Sequence, residues 1–437
     1  MENYDVIVIG GGPAGYPCAI RCSQNGKKVL LIEELALGGV CLNRGCIPTK
    51  ALYNISEEIS SSKYKSIEKM VKYNWKDILN EILNDVVLRL RTGISMLLKA
   101  YGVDFLKGKA KFVDKDAIEV EGKIYKAKNI VIATGSISFV PDCFKNNKRV
   151  ITSDHIWEFH ELPKSVAIIG GGFIGCEFAS ILNKFGVKVK IYEMMDTLLP
   201  GKDKEITESL KKSFEKRGIE VILNQKLDSC DMINEEKIFV SVGRIPNIPE
   251  IDGIEFDKKG IKTDERLRTN IEGIYAIGDV NDKYQLAYIA TKEGEIAAEN
   301  ICGKEEKINY DFIPEVIFTD PEIGVCGITE EKAKEKGIDI IIGKFPYTAL
   351  GRAYCDKKTD GFVKVIADKN TEEIIGIHII GKGATELISF GSLAISNKLK
   401  IKEIEKIFYC HPTFSEGIME AISDLNKKSI HLPPKKS

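Results

Sequence analysis

The chain has 437 residues, 43% of them hydrophobic, and Lys+Arg 63 against Asp+Glu 64 leaves a net charge of -1. That size predicts about two to four domains, and the balanced charge excludes a general electrostatic footprint for nucleic acid or an anionic membrane. No apolar run reaches the roughly 18 residues of a membrane span. The longest uncharged runs, 6–20 and 129–141, are broken by glycine and proline. Eleven cysteines, an odd number, are too few for a disulfide scaffold in a chain of this length. With no signal peptide ahead of the first strand, a soluble cytoplasmic protein is expected.

Asp5-Val-Ile-Val-Ile-Gly10 predicts a buried strand, followed by Gly10-Gly-Gly12-Pro-Ala-Gly15, a helix to Asn25 and a second strand, Lys28–Ile32, that ends at Glu33. Much later Ser165-Val-Ala-Ile-Ile-Gly170 leads into Gly170-Gly-Gly172-Phe-Ile-Gly175, a helix, the strand Val187–Tyr192 and Glu193. From first glycine to acid the spacing is 23 residues in both copies. Each copy carries the dinucleotide-binding fingerprint in its full strand–helix–strand context. The first glycine permits the tight turn, the second admits a pyrophosphate, and the third lets the helix pack against the strand. The acid accepts hydrogen bonds from a ribose diol. A bare glycine-rich turn would not repeat all these parts, so two dinucleotides are expected to bind.

Between the first unit's Glu33 and its next strand lies Gly38-Gly39-Val-Cys41-Leu-Asn-Arg-Gly-Cys46-Ile-Pro-Thr-Lys50. Two cysteines five positions apart on a regular helix project about 140° apart, beyond disulfide reach. Gly45 would allow a local distortion that lets the sulfurs meet, and a helix N-terminus would lower a thiol pKa. From spacing alone a redox pair and two buried structural cysteines remain equally open. No histidine or second pair lies nearby in sequence to complete a zinc site, and no metal is expected.

The units close alike. Asn129–Gly135, with Ala133-Thr134-Gly135, and Lys237–Gly243 are apolar strands running into glycine, where a parallel sheet delivers the chain to a bound cofactor. The second unit is short: 25 residues separate Gly218 from Gly243, against 33 between Gly102 and Gly135. The 14 residues at 224–237, many of them polar, leave room for one hairpin at most. A trimmed layer is expected to cover the sheet less fully and loosen this unit. Gly273–Asp279 is a further strand whose terminal acid could meet a ribityl or ribose hydroxyl, or N-cap the next helix. Beyond about residue 310 short alternating strands (361–367, 374–380) mix with a helix at 384–397, which predicts a third, α+β domain.

Cys41-Leu-Asn-Arg-Gly-Cys46-Ile-Pro-x-Lys50 resembles the signature of the pyridine nucleotide–disulfide oxidoreductases, and among them of the dihydrolipoamide dehydrogenases. The Ala133-Thr-Gly135 turn, both fingerprints, Tyr275-Ala-Ile-Gly-Asp279, Pro321-Glu322 and His411-Pro-Thr-Phe-Ser-Glu416 follow the same pattern. The resemblance spans nearly the whole chain. It implies an α/β fold of two Rossmann-like domains and a C-terminal α+β dimerisation domain, divided as 1–145 with 260–310 for FAD, 146–259 for NAD and 311–437 for the interface.

FAD would be held by Gly10, Gly12, Gly15, Glu33, Gly39, Lys50, Thr134, Gly135 and Asp279, and NAD by Gly170, Gly172, Gly175, Glu193 and Gly243. Cys41 would be the interchange thiol, Cys46 the charge-transfer thiol, and Lys50 would pair with Glu177. His411, oriented by Glu416, would be the acid/base across a homodimer interface; a departing thiolate needs a donor with a near-neutral pKa, which suits histidine. Glu193, with no arginine in Met194-Met195-Asp196-Thr197, favours NAD over NADP. The implied partner is the lipoyl-bearing protein of a 2-oxo acid, glycine or acetoin dehydrogenase complex, with no nucleic acid or membrane.

Competing readings are a glutathione-like or mercuric reductase of the same fold, and a catalytically weak structural flavoprotein subunit. The missing NADP-type arginine opposes the first, and the lack of an N-terminal metal-binding domain and a C-terminal cysteine pair opposes the second. Intact Cys41, Cys46, Lys50, Glu177, His411 and Glu416 oppose the third. Tyr288 stands where the family usually has histidine, and Cys410 directly precedes His411.

Overall fold

The computed structural model describes residues 2–59, 72–281 and 283–434. The strand Glu2–Ile9 pairs in parallel with Val29–Glu33 and with Lys123–Ile132 at the centre of a seven-stranded sheet. Its residues alternate between two layers, as a strand buried on both faces requires. Val6 and Val8 meet Cys18, Ala19 and Cys22 of the helix Gly15–Gln24, while Ile7 and Ile9 meet Ile118 and Val120 of the antiparallel meander. Ile274–Ala276, which arrives after the second unit, pairs with Lys123–Ile132, so the chain leaves this sheet and returns to it.

The second unit builds a five-stranded parallel sheet in the order Glu220–Ile222, Lys188–Tyr192, Ser165–Ile169, Lys237–Val240, Val150–Ile151. Val166 and Ile168 face Cys176 and Ala179 of the helix Phe173–Lys184. The opposite face corrects the expected thin cover. No strand forms between residues 223 and 236, where the structure has only a 3-10 turn, Cys230–Met232. Leu227, Cys230 and Ile233, spaced three apart, nevertheless pack with Phe144 onto Ala167, Ile169, Ile238 and Val240. Ala167 and Ile238 are 0% exposed. Four apolar side chains thus do the covering that a meander does in the first unit.

A two-stranded antiparallel ladder, Ser136–Ser138 with Arg244–Pro246, ties the ends of the two units together. The C-terminal part forms a five-stranded antiparallel sheet, Glu315–Ile317, Ile323–Gly327, Ile374–Ile380, Phe362–Asp368 and Ile340–Pro346. The helices Ala384–Ser396 and Glu416–Leu425 share one apolar core with it. This sheet is pinned to the second unit by Lys364, whose buried Nζ lies 2.9 Å from the buried Oδ2 of Asp203. Among the described residues no helix is long and apolar enough to cross a membrane.

Candidate active site

The two fingerprints fold identically down to their contacts. At Gly10 (φ +106°) an added Cβ would lie 2.2 Å from the Ala133 carbonyl oxygen, and at Gly15 one would lie 1.8 Å from the Gly10 oxygen. In the second unit Gly170 (φ +102°) meets the Ser241 oxygen at 2.5 Å, and Gly175 meets the Gly170 oxygen at 2.1 Å. The middle glycines stand open: a Cβ on Gly12 reaches only the Gly39 Cα at 3.8 Å, and one on Gly172 meets nothing within 4 Å. The acids match too. Glu33 accepts from the Gly11 N–H (2.7 Å) and the Leu35 N–H (2.7 Å), and Glu193 from the Gly171 N–H (2.6 Å) and the Met195 N–H (2.8 Å). One lone pair of each carboxylate oxygen remains for a ribose hydroxyl.

The cysteines sit on two successive helices, Gly39–Arg44 and Cys46–Ile59. The break falls at Gly45, where a Cβ would lie 2.9 Å from the Val40 carbonyl oxygen, so a side chain there would force the helix ends apart. Cys46 is the first residue of its helix, and Pro48 falls in the first turn, where a missing N–H costs nothing. No S–S bond joins the two sulfurs in the structure, so the geometry described is that of the dithiol form of the pair. Donation of the Cys41 S–H to Cys46, with Lys50 nearby, outweighs burial and lowers the Cys46 thiol to about 7. The same hydrogen bond, with burial, raises Cys41 far above the ordinary thiol range. Above a pH of about 7 the reduced pair is one thiol and one thiolate, the thiolate on Cys46.

Lys50, one helical turn beyond Cys46, places its Nζ 3.0 and 2.8 Å from the two carboxylate oxygens of the buried Glu177. Glu177 also accepts from the Phe318 N–H at 3.0 Å, and the Phe318 ring lies 4.7 Å from the Lys50 nitrogen. Asp279 lies in the 3-10 turn Gly278–Asn281, and the next helix begins at Ala287 with Leu286 as its N-cap, so the N-cap alternative for Asp279 is excluded. It accepts from the Ser136 hydroxyl at 2.6 Å, and burial raises its pKa.

Several residues of this site went unnoticed in the sequence. Arg244 donates to Ser136 Oγ (2.8 Å), the Ser136 carbonyl (2.7 Å) and Ser138 Oγ (3.2 Å). Asn247 accepts from the Thr134 hydroxyl at 2.5 Å and donates its N–H to the Gly135 carbonyl at 2.8 Å, bracing the Ala133-Thr-Gly135 turn. The run Gly243-Arg-Ile-Pro-Asn247, directly after a strand, was the available signal. Glu293, 0% exposed, accepts from the Gly278 N–H (2.5 Å), the Asn281 amide (3.0 Å) and the Tyr310 hydroxyl (2.6 Å). It carries the turn that presents Asp279, and nothing local in the sequence marks it.

A cleft of about 1800 Å³ runs from Glu33 past both cysteines and Lys50 to Glu193, with Arg244, Asn247 and Asp279 in its wall and Glu293 outside its lining. Of the residues assigned from the sequence to catalysis or cofactor binding, Gly15, Gly175, His411 and Glu416 lie outside its lining. The first two are packed inside their own turns. His411 points to solvent, its side chain 78% exposed, with Nδ1 2.9 Å from Glu416 Oε1. Glu416 is fixed in turn by the Thr413 N–H at 2.8 Å. Tyr288 lines the cleft and donates to the Pro314 carbonyl, while Cys410 is exposed.

The profile of the family described as pyridine nucleotide-disulphide oxidoreductase matches residues 4–294, and that of its dimerisation domain matches residues 313–422. The chain is 38% identical to the dihydrolipoyl dehydrogenase of Bacillus subtilis (strain 168) over 458 positions, covering 98% of this chain and 97% of that protein. It is 37% identical to the dihydrolipoyl dehydrogenase of Thermus scotoductus over 463 positions, covering 99% of each. The 458 positions exceed the 437 residues of this chain by 21, so at least 21 are gaps on this side. Among solved structures, the HOCl-induced flavoprotein disulfide reductase RclA from Escherichia coli superposes with a TM-score of 0.88 at 28% identity, covering 96% of this chain and 99% of that one. FAD and NAD are the cofactors of the dihydrolipoyl dehydrogenases. The chain belongs to the pyridine nucleotide-disulphide oxidoreductase family and stands within it beside the dihydrolipoyl dehydrogenases.

Proposed function

We propose that this chain oxidises protein-bound dihydrolipoamide to lipoamide with NAD+ as final acceptor, through Cys41 and Cys46. The observation that carries the reading is the meeting of Cys41 and Cys46 across the Gly45 break, with Lys50 one helical turn on in the same cleft. Both cofactors fit the residues present. FAD would lie over the open Gly12, with Glu33 on its adenosine ribose and Asp279 towards the ribityl chain; NAD would lie over Gly172 with its ribose on Glu193. When bound, FAD accepts the electron pair of the dithiol and NAD+ takes it up as hydride. We assign 1–145 with 260–310 to FAD, 146–259 to NAD and 311–437 to the dimer interface.

In this reading a substrate thiolate attacks Cys41 of the oxidised pair; the new S–S bond forms as the Cys41–Cys46 bond breaks and Cys46 leaves as thiolate. The low pKa of Cys46 and the charge of Lys50 make it a good leaving group. The second substrate thiol then attacks the mixed disulfide, closing lipoamide and releasing Cys41, which takes a proton. His411, with Glu416 orienting its ring, accepts protons from the substrate thiols and returns one to Cys41. Because His411 faces away from the cleft of its own chain, it would serve the Cys41 of a second copy. The lipoyl-bearing protein of a 2-oxo acid, glycine or acetoin dehydrogenase complex would be the partner. The cytoplasm is the compartment that fits eleven cysteines without a disulfide framework.

The test is steady-state oxidation of NADH and, separately, NADPH by the purified flavoprotein, with lipoamide or glutathione disulfide as acceptor. Fast turnover is expected with NADH and lipoamide alone. A flavin-loaded protein that reduces neither disulfide would overturn the enzyme reading in favour of a structural subunit.

A further inference from the structure

We infer that Arg149 is a positioning residue for nicotinamide dinucleotide binding, acting through the loop at 223–236 that stands where the second unit lacks a meander. The inference rests on the reading that this unit binds NAD. A loop without strands leaves its carbonyls without a ladder, and buried backbone groups need partners. Arg149 supplies them. Its Nη1 donates to the Ile233 carbonyl (2.7 Å) and the Glu235 carbonyl (3.2 Å), and its Nη2 to the Cys230 carbonyl (2.9 Å). The planar fork suits this convergent arrangement, which a single ammonium matches less well.

The arginine is itself held in place. Its backbone N–H donates to Asn147 Oδ1 at 2.9 Å, and its carbonyl accepts from the Ile238 N–H at 2.9 Å, one residue before the edge strand Val150–Ile151. The far end of the loop is tied to the ribose-binding acid. The Gln225 N–H donates to the Glu193 carbonyl and the Asn224 N–H to the Met195 carbonyl, both at 2.9 Å. Between these anchors Gln225, Lys226, Leu227 and Asp228 line the cleft, whereas Arg149 does not. Its guanidinium therefore acts on the dinucleotide only through the loop. Without it, three carbonyls lose their donor, and between the Glu193–Gln225 anchor and the Glu236 bonds to Ser165 and Lys164 the plug is left to its apolar packing and a long Cys230 thiol contact with the Cys143 carbonyl, so the wall beside Glu193 loosens.

The experiment is a comparison of the wild-type flavoprotein with Arg149→Ala and Arg149→Lys in NADH:lipoamide turnover, with direct NADH titration of each. Arg149→Ala is expected to raise KM and Kd for NADH about tenfold, with kcat, flavin content and KM for lipoamide near wild type. Arg149→Lys should recover part of the loss. An unchanged KM for NADH in Arg149→Ala, or an equal rise in both KM values, overturns the inference. Should Arg149→Ala not retain flavin, Arg149→Lys decides in the same way: a selective rise for NADH supports the inference and no rise overturns it. A wild-type protein that does not oxidise NADH at all would instead remove the nicotinamide reading itself.

Discussion

The Trp157 indole nitrogen donates a 2.9 Å hydrogen bond to the carbonyl of Arg44, the last residue of the helix that carries Cys41. The Arg44 side chain is held as well, with Nε 3.0 Å from Asp154. Both contacts come from the short stretch that leads into the second unit, and both act one residue before the Gly45 break. The end of the Cys41 helix is thus set from outside the redox loop. Trp157→Phe keeps the buried ring and removes the donor, which should cost about 1 kcal/mol, or roughly fivefold in rate if felt fully in the transition state. Lipoamide turnover should fall by that order while NADH-to-dye activity, which does not need the disulfide, stays near wild type. Equal loss in both assays would show that Trp157 acts on general stability only.

Lys50 is a cation whose charge favours the Cys46 thiolate. The Cys46 thiol is lowered to about 7 by the Cys41 hydrogen bond and by Lys50, so the thiolate persists above that pH and is lost by protonation below it. Lys50→Met removes the cation and leaves the buried Glu177 uncompensated, and each change disfavours the thiolate. The midpoint of the thiolate absorbance in the reduced protein should therefore move upward, and the acid limb of lipoamide turnover with it. A midpoint that stays in place would mean that Lys50 does not govern Cys46.

Cys41→Ser should retain NADH-to-dye activity and lose lipoamide turnover, because only the second reaction needs the interchange sulfur. His411→Gln should lower lipoamide turnover about a hundredfold or more and leave the dye reaction intact, with Glu416→Gln intermediate. Unchanged lipoamide turnover in His411→Gln would remove His411 from the mechanism. Equal loss of both activities in a flavin-loaded Cys41→Ser would overturn the Cys41 assignment.

Glu293 ties the Asp279 turn to the helix Ala287–Ile301 through two hydrogen bonds and accepts a third from the Tyr310 hydroxyl. Bonds to a charged acceptor contribute about 1.5–3 kcal/mol each, so even one bond's share passed to the cofactor would weaken FAD binding roughly tenfold to a hundredfold. Titration of the Glu293→Ala apoprotein with FAD measures this. Wild-type affinity there would show that the turn keeps its shape without Glu293.

What the sequence determined by itself is local. The twin fingerprints, the 23-residue spacing to Glu33 and Glu193 and the strands behind them were legible because a positive φ, a strand's alternation and a helix start are encoded within a few adjacent residues. The Cys41–Cys46 pair was legible as a pair, but its chemistry came from resemblance. Tertiary packing alone decided the rest. Glu293 and Trp157 hold the site from other segments, and Arg244 with Asn247 braces a turn more than a hundred positions away. The trimmed segment 224–237 predicts a sheet less fully covered, yet Leu227, Cys230, Ile233 and Phe144 cover it. Periodicity reports which face of an element is apolar and says nothing of which distant side chain will fill the space beside it. That choice is made only when the whole chain closes on itself and every buried polar group must find a partner.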